Sequence, residues 1–221
     1  MKIKFVVSTI AIAAGFAAYV AFSPGVSFAA PRMSAGNPTR LAAQASYSID
    51  PMHSGVYFEI SHLGLAKITG RFNKFSGKIR EDEKDLTKSS VEFTAQVDSI
   101  DTAIGPRDNH LRTADFFEVA KYPELTFKST KVSRKRGGYV VTGDLTIKGK
   151  TKTVSIPFKH YGPYSNKAMP DQPTRIGVIA EPVTLKRSDF GVGSTQPLPD
   201  GTMGLSDDLT VRISFEATLD K

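Results

Sequence analysis

Cysteine is absent from this chain of 221 residues, and every device that needs a thiol goes with it. No disulfide braces the fold, no lipid-modified cysteine can follow a leader, and no Cys-x-x-Cys pair is available for metal or redox chemistry. Histidine is scarce, at four residues; His53 and His62 stand nine apart, which is not a metal-ligand spacing. There is no His-Glu-x-x-His helix and no nucleophile elbow. Gly191-Val192-Gly193 is not followed by a phosphate-binding helix. A long amphipathic helix that would cover a sheet face is missing too. The sequence therefore predicts no catalytic residue, no metal site and no cofactor.

What is present begins with a targeting pattern. Lys2 and Lys4 precede an apolar run from Phe5 to Phe22, and Ser27-Phe28-Ala29 places small residues where a signal peptidase needs them. Residues 1–29 are expected to be a signal peptide. A retained anchor is the competing reading, because the run has about the length of a minimal spanning helix. Gly15, the many alanines and Ser23-Pro24-Gly25 favour cleavage, and Ala43-Gln44-Ala45 offers a second cut. Residues 30–45, rich in Ala, Pro, Gly, Asn and Ser, read as a flexible tether, with one domain over 46–221. Loss of residues 1–29 removes two lysines and no acids, so the formal charge falls from +7 to +5. This modest excess is that of a solvated basic surface, compatible with transient contact with anionic membrane lipids; a homodimer is the other candidate partner. Scattered lysines on an exported chain argue against nucleic acid.

Alternation dominates after Tyr47. Val56, Phe58 and Ile60 share one face; so do Val91, Phe93, Ala95 and Val97, and again Leu209, Val211, Ile213, Phe215, Ala217 and Leu219. Period two over such lengths predicts antiparallel strands with one buried and one wet face. Further strands are expected near 66–80, 124–134, 138–148, 152–161 and 174–186, about eight in all. Arg136-Gly137-Gly138 and Lys148-Gly149-Lys150 read as tight hairpins, Glu81–Lys88 as a charged loop, and 166–174 as a longer connection. The segment from Ala66 switches parity between Phe72 and Phe75, which predicts a β-bulge near Asn73-Lys74. Pro157 and Pro182 must lie at edges or bulges. A short helical segment near 108–117 is expected, with Asp108 as its N-cap. Mostly sequential hairpins favour an all-β, eight-stranded antiparallel barrel over a sandwich.

The most distinctive stretch is Arg107–Ser129, in which Arg107, Asp108, His110, Arg112 and Asp115 run into Phe116-Phe117 and a Tyr122-Pro123 break. With Tyr47–Asp50, His53-Ser54, His62-Leu63-Gly64, Gly70-Arg71-Phe72, Gly143–Gly149 and Arg187–Val192, it closely resembles the YceI-like family of periplasmic polyisoprenoid-binding proteins. The resemblance covers nearly the whole domain past Tyr47. It implies a lipocalin-like barrel that holds a polyisoprenoid, an isoprenoid quinone or another long-chain amphiphilic lipid for transport, storage or sequestration. The tunnel would be lined by Val56, Phe58, Ile60, Phe72, Phe75, Phe93, Val97, Phe127, Leu145, Ile156, Phe158, Val211, Ile213 and Phe215. Candidates for its mouth are His62, Arg107, His110, Arg112, Phe116, Phe117, Asp189 and Phe190. Arginines there suit a diphosphate; the bland reading is an ionic network in which Asp108, Asp115 and Asp189 neutralise them. An enzyme of isoprenoid or quinone metabolism using Arg107, His110 and Arg112 is the alternative.

Overall fold

Period-two patterning becomes twelve hydrogen-bonded strands in the computed structural model, which describes residues 44–221. The expected signal peptide and most of the tether lie outside that range. Gln44 and Ala45, assigned to the tether from the sequence, belong to a strand. In chain order the strands are β1 (Gln44–Ile49), β2 (Gly55–His62), β3 (Ala66–Phe72), β4 (Phe75–Asp82), β5 (Ser90–Gln96), β6 (Ile100–Asp101), β7 (Glu124–Lys135), β8 (Gly138–Ile147), β9 (Lys150–Tyr164), β10 (Arg175–Ala180), β11 (Val183–Lys186) and β12 (Leu205–Leu219). Two short helices join them, α1 (Gly105–Arg112) and α2 (Arg187–Phe190).

These twelve merge into the eight staves of a closed antiparallel barrel. β1 and β2 run end to end, each between β12 and the β3–β4 stave. β5 and β6 follow, then β7, β8, β9, the broken stave β10–β11, and β12, which closes back on β1 and β2. β3 and β4 are one strand bent at Asn73-Lys74, where the bulge was expected. The main chain there stays paired to the next stave, with the Asn73 N–H on the Ser99 carbonyl at 3.1 Å and the Lys74 N–H on Ser99 Oγ at 3.0 Å.

Turn chemistry works locally as the residues dictate. Lys148 and Gly149 both adopt positive φ, 47° and 70°, in a two-residue turn whose twist matches the strands it joins. The prolines mark where pairing stops. The β9–β10 ladder ends at Phe158 opposite Ala180, with the Glu181 N–H on the Pro157 carbonyl at 2.8 Å; Pro182 follows, and β11 pairs with β12 alone. Pro157, having no N–H to offer, lies one residue beyond that last rung and faces Val140 of β8 on its other edge.

Two sequence expectations are corrected. Helix α1 starts at Gly105-Pro106, with proline in the first turn where a missing N–H costs nothing, and Ile104 holds the cap position. Asp108 is buried inside the helix and turns its carboxylate back to the Thr102 N–H and hydroxyl. Residues 113–117 form a turn rather than more helix. Nor is Glu81–Lys88 wholly a loop. Glu81 and Asp82 finish β4 and are each 3% exposed: Glu81 continues the strand's inward parity through Phe75, Gly77 and Ile79, while Asp82, on the other face, accepts from the Lys84 and Asp85 N–H groups. Among the described residues no helix is long and apolar enough to cross a membrane.

The interior is unevenly filled. Tyr47, Ile49, Ala95, Val97, Ile176 and Ala217 pack into solid core around β1 and neighbouring staves. Elsewhere the staves stand around open space.

Candidate functional site

That space is a cavity of about 290 Å3 running inside the barrel, walled almost entirely by aliphatic and aromatic side chains. The inward register of the long strands builds it: Leu125 and Phe127 on β7, Val141 and Leu145 on β8, Val154, Ile156 and Phe158 on β9, Val211, Ile213 and Phe215 on β12. Two glycines let phenyl rings lie flat on the wall. A Cβ on Gly70 would stand 2.3 Å from the Phe58 ring, and one on Gly143 2.6 Å from that of Phe127. Phe93 and Phe215 stack at 5.4 Å between centroids, and Phe58 tilts against Phe72 at 6.1 Å.

Of the fourteen residues expected to line a tunnel, twelve face this cavity. Phe75 and Val97 do not. Phe75 follows the strand's bend and packs its ring behind Phe93 (5.8 Å) and Phe215 (6.3 Å), which face the cavity in its place. Val97 lies past the end of β5, in a short 3₁₀ turn, buried at 2% exposure in the solid core.

The expected mouth divides more sharply. Arg107, Phe116, Phe117 and Phe190 reach the cavity; His62, His110, Arg112 and Asp189 do not. His110 pairs with Asp115 at 2.9 Å on the outer side of the loop, its ring edge-on to Phe116 at 5.0 Å. Arg112 spends its guanidinium on the carbonyls of Asp98 (2.8 Å) and Ile100 (2.9 Å) and on Asn109 Oδ1 (2.9 Å). Asp189 stands 3.9 Å from Lys152. The loop is therefore pinned, but the arginines are held mainly by carbonyls rather than by the expected acids. Phe117, edge-on to Phe72 at 6.2 Å, carries the loop over the barrel end.

Several cavity residues escaped the sequence reading. At the end carrying α1 and α2, Arg187 is 4% exposed. It donates to the carbonyls of Ser206 (2.9 Å), Val192 (3.0 Å) and Leu205 (3.1 Å), with no carboxylate at salt-bridge distance among the described residues. Burial lowers its pKa, and the nearby Asp207 charge opposes that. Arg107 lies at the same end, bonded to Thr102 through Oγ1 (2.7 Å) and the carbonyl (2.6 Å). At the opposite end, Glu81 of β4 and His160 of β9 meet at 2.9 Å. Strand parity was the available signal for the last two. Glu81 extends the inward series of Phe75, Gly77 and Ile79, and His160 that of Val154, Ile156 and Phe158.

Away from the cavity, Asp50, His53 and Glu216 cluster closely enough to suggest metal ligands. Arg175, 3.3 Å from Glu216, supplies a positive charge there instead, and His53 is already bonded to Asp50 at 2.8 Å.

A closed antiparallel barrel with a pinned loop over one end and an apolar cavity inside defines a lipocalin-like binding barrel. The chain belongs to the YceI-like family: the model described as YceI-like domain matches residues 47–217. It is 38% identical over 174 residues to Protein YceI of Escherichia coli, covering 76% of this chain and 85% of that one. It is 36% identical over 171 residues to a UPF0312 protein of Pectobacterium atrosepticum, with the same coverage, 76% and 85%. Among solved structures it is similar to BcnA of Burkholderia cenocepacia (TM-score 0.65, 27% identity, 77% of this chain and 99% of that one). A polyisoprenoid binding domain from Saccharophagus degradans shares the fold (TM-score 0.57, 20% identity, 80% and 99% covered).

Proposed function

We propose that this protein is a periplasmic carrier or store that encloses one long-chain isoprenoid lipid, a polyisoprenoid or isoprenoid quinone, in its barrel. The observation that carries this is the cavity wall, which is apolar along its length and polar only at its ends. Each buried methylene contributes about 0.8 kcal/mol, so a five-carbon isoprene unit contributes about 4 kcal/mol before ordering costs. Such a chain needs no directional contact along the wall. The polyisoprenoid-binding description of the Saccharophagus degradans domain, on the same fold, supports the ligand class. The basic, apolar and small-residue pattern of residues 1–29 supports export. The test is native mass spectrometry of protein recovered from a periplasmic extract. A mature chain lacking its leader, carrying an unmodified isoprenoid lipid, is expected. Full-length protein in the cytoplasmic fraction sinks the localisation, and conversion of added lipid to a new product turns the reading towards an enzyme.

A further inference from the structure

The hydrogen bond between Glu81 and His160 spans the barrel. Counting staves either way from β4 to β9 passes through three others, so the two strands stand on opposite walls and the pair crosses the lumen. Both side chains are largely withdrawn from solvent, at 5% and 12% exposure, and both border the cavity. The wall below them is hydrocarbon, so burying a carboxylate there is costly unless something repays it. The bond uses one oxygen of Glu81, Oε2, and one nitrogen of His160, Nε2. Glu81 Oε1 and His160 Nδ1 have no hydrogen-bond partner among the described residues. Ser89 and Ser90 border the same end. The opposite end carries Arg107 and Arg187, so the cavity has one cationic pole and one carboxylate–imidazole pole.

We propose that Glu81 and His160 form a headgroup site that takes a neutral hydroxyl, as on a prenol, phenol or hydroquinone, at the end of the lipid chain. This rests on the lipid-binding reading above and adds the chemistry of the ligand's polar end. In the tautomer that donates Nε2–H to Glu81, the ring presents Nδ1 as an acceptor, and Glu81 Oε1 is a second. Acceptors left without a partner at this end suit a ligand that donates. An ionised diphosphate brings only acceptors and negative charge, and is repelled by Glu81; its place is the arginine pole.

Farnesol and farnesyl diphosphate share one unsaturated fifteen-carbon chain and differ at the head; farnesane is the saturated hydrocarbon of the same branched skeleton, with no head. Their affinities are to be measured by displacement of a bound fluorescent dye from the intact protein and from the Glu81→Leu/His160→Leu double variant. The double variant replaces the pair by apolar groups and leaves neither partner orphaned. The wild type is expected to hold farnesol roughly tenfold more tightly than farnesane. The variant is expected to lose most of that preference, with farnesane held no less tightly and the diphosphate not weakened. A farnesol preference that survives in the variant overturns the headgroup site while leaving lipid binding intact. Failure of the wild type to bind either farnesol or farnesane removes the lipid reading and this proposal together. The ring nitrogen resonances of His160 in the wild type give a second measure that needs no variant. They should move as farnesol saturates the protein and stay still with farnesane; saturation by farnesol without movement overturns the proposal.

Discussion

Arg112 shows how a charged residue in a distinctive motif can be structural. Its guanidinium closes on two main-chain carbonyls and one side-chain amide, stitching α1 to the segment that leads into β6. Charge-assisted bonds of this sort contribute about 1.5–3 kcal/mol, and of the carbonyls left behind that of Ile100 is partly buried. Arg112→Ala should therefore lower unfolding free energy by about 2 kcal/mol in a urea titration, with lipid affinity and headgroup preference unchanged. A changed headgroup preference at unchanged stability would return Arg112 to the site. Asp108 is the more buried member of the same motif, and it satisfies both the N–H and the hydroxyl of Thr102, which in turn positions Arg107. Asp108→Ala should cost about 2–3 kcal/mol, because it leaves a buried N–H and an arginine support without their acceptor. The measurement is the same titration.

At the scale of elements, barrel closure depends on the short strand β1 meeting the end of β12. Asp220, just past β12, accepts hydrogen bonds from Ser46 and Ser48 of β1 and from Lys78 of β4. The Lys78 ammonium and the two serine hydroxyls pull its pKa down from 3.8 to about 2. A carboxyl whose folded pKa is depressed adds stability that is complete above its unfolded pKa, about 3.9, and is lost as pH falls through the folded value. Asp220→Asn should melt below the wild type at pH 7, and the gap should close between about pH 4 and pH 2. A gap that persists unchanged at pH 2 would show that the effect is not the titration of this clasp. Strand parity made most of these elements readable before the structure. What it could not show is that β10 and β11, or β1 and β2, act as single staves, since that depends on which neighbour each fragment shares.

For the whole molecule, the decisive quantity is how much of the interior is left empty. The Phe127 ring lies over Gly143 on the cavity wall, and a larger ring there intrudes on the space instead of filling a defect. Phe127→Trp should weaken long isoprenoids more than short ones in a chain-length series read by dye displacement. Equal weakening of all lengths together with a lower melting temperature would mean that the ring belongs to ordinary core. Any lipid that fits should also raise the melting temperature in a concentration-dependent way, the folded state gaining about 2.7 kcal/mol at a free concentration a hundredfold above Kd.

Alternation in the sequence already determines the long strands, their inward faces and the bulge at Asn73-Lys74, but not the short strands β1 and β6. A side chain's face follows from its parity alone, a property of neighbours along the chain. By the same rule Glu81 and His160 were readable as inward, though not as partners. Which inward phenylalanines meet a void, as Phe93 and Phe215 do, and which pack behind them, as Phe75 does, was decided only by the tertiary structure. So was the pairing of Glu81 with His160 across 79 residues of sequence. Both depend on distances across the lumen between staves that never touch, and those distances are set by the number and tilt of all eight strands together.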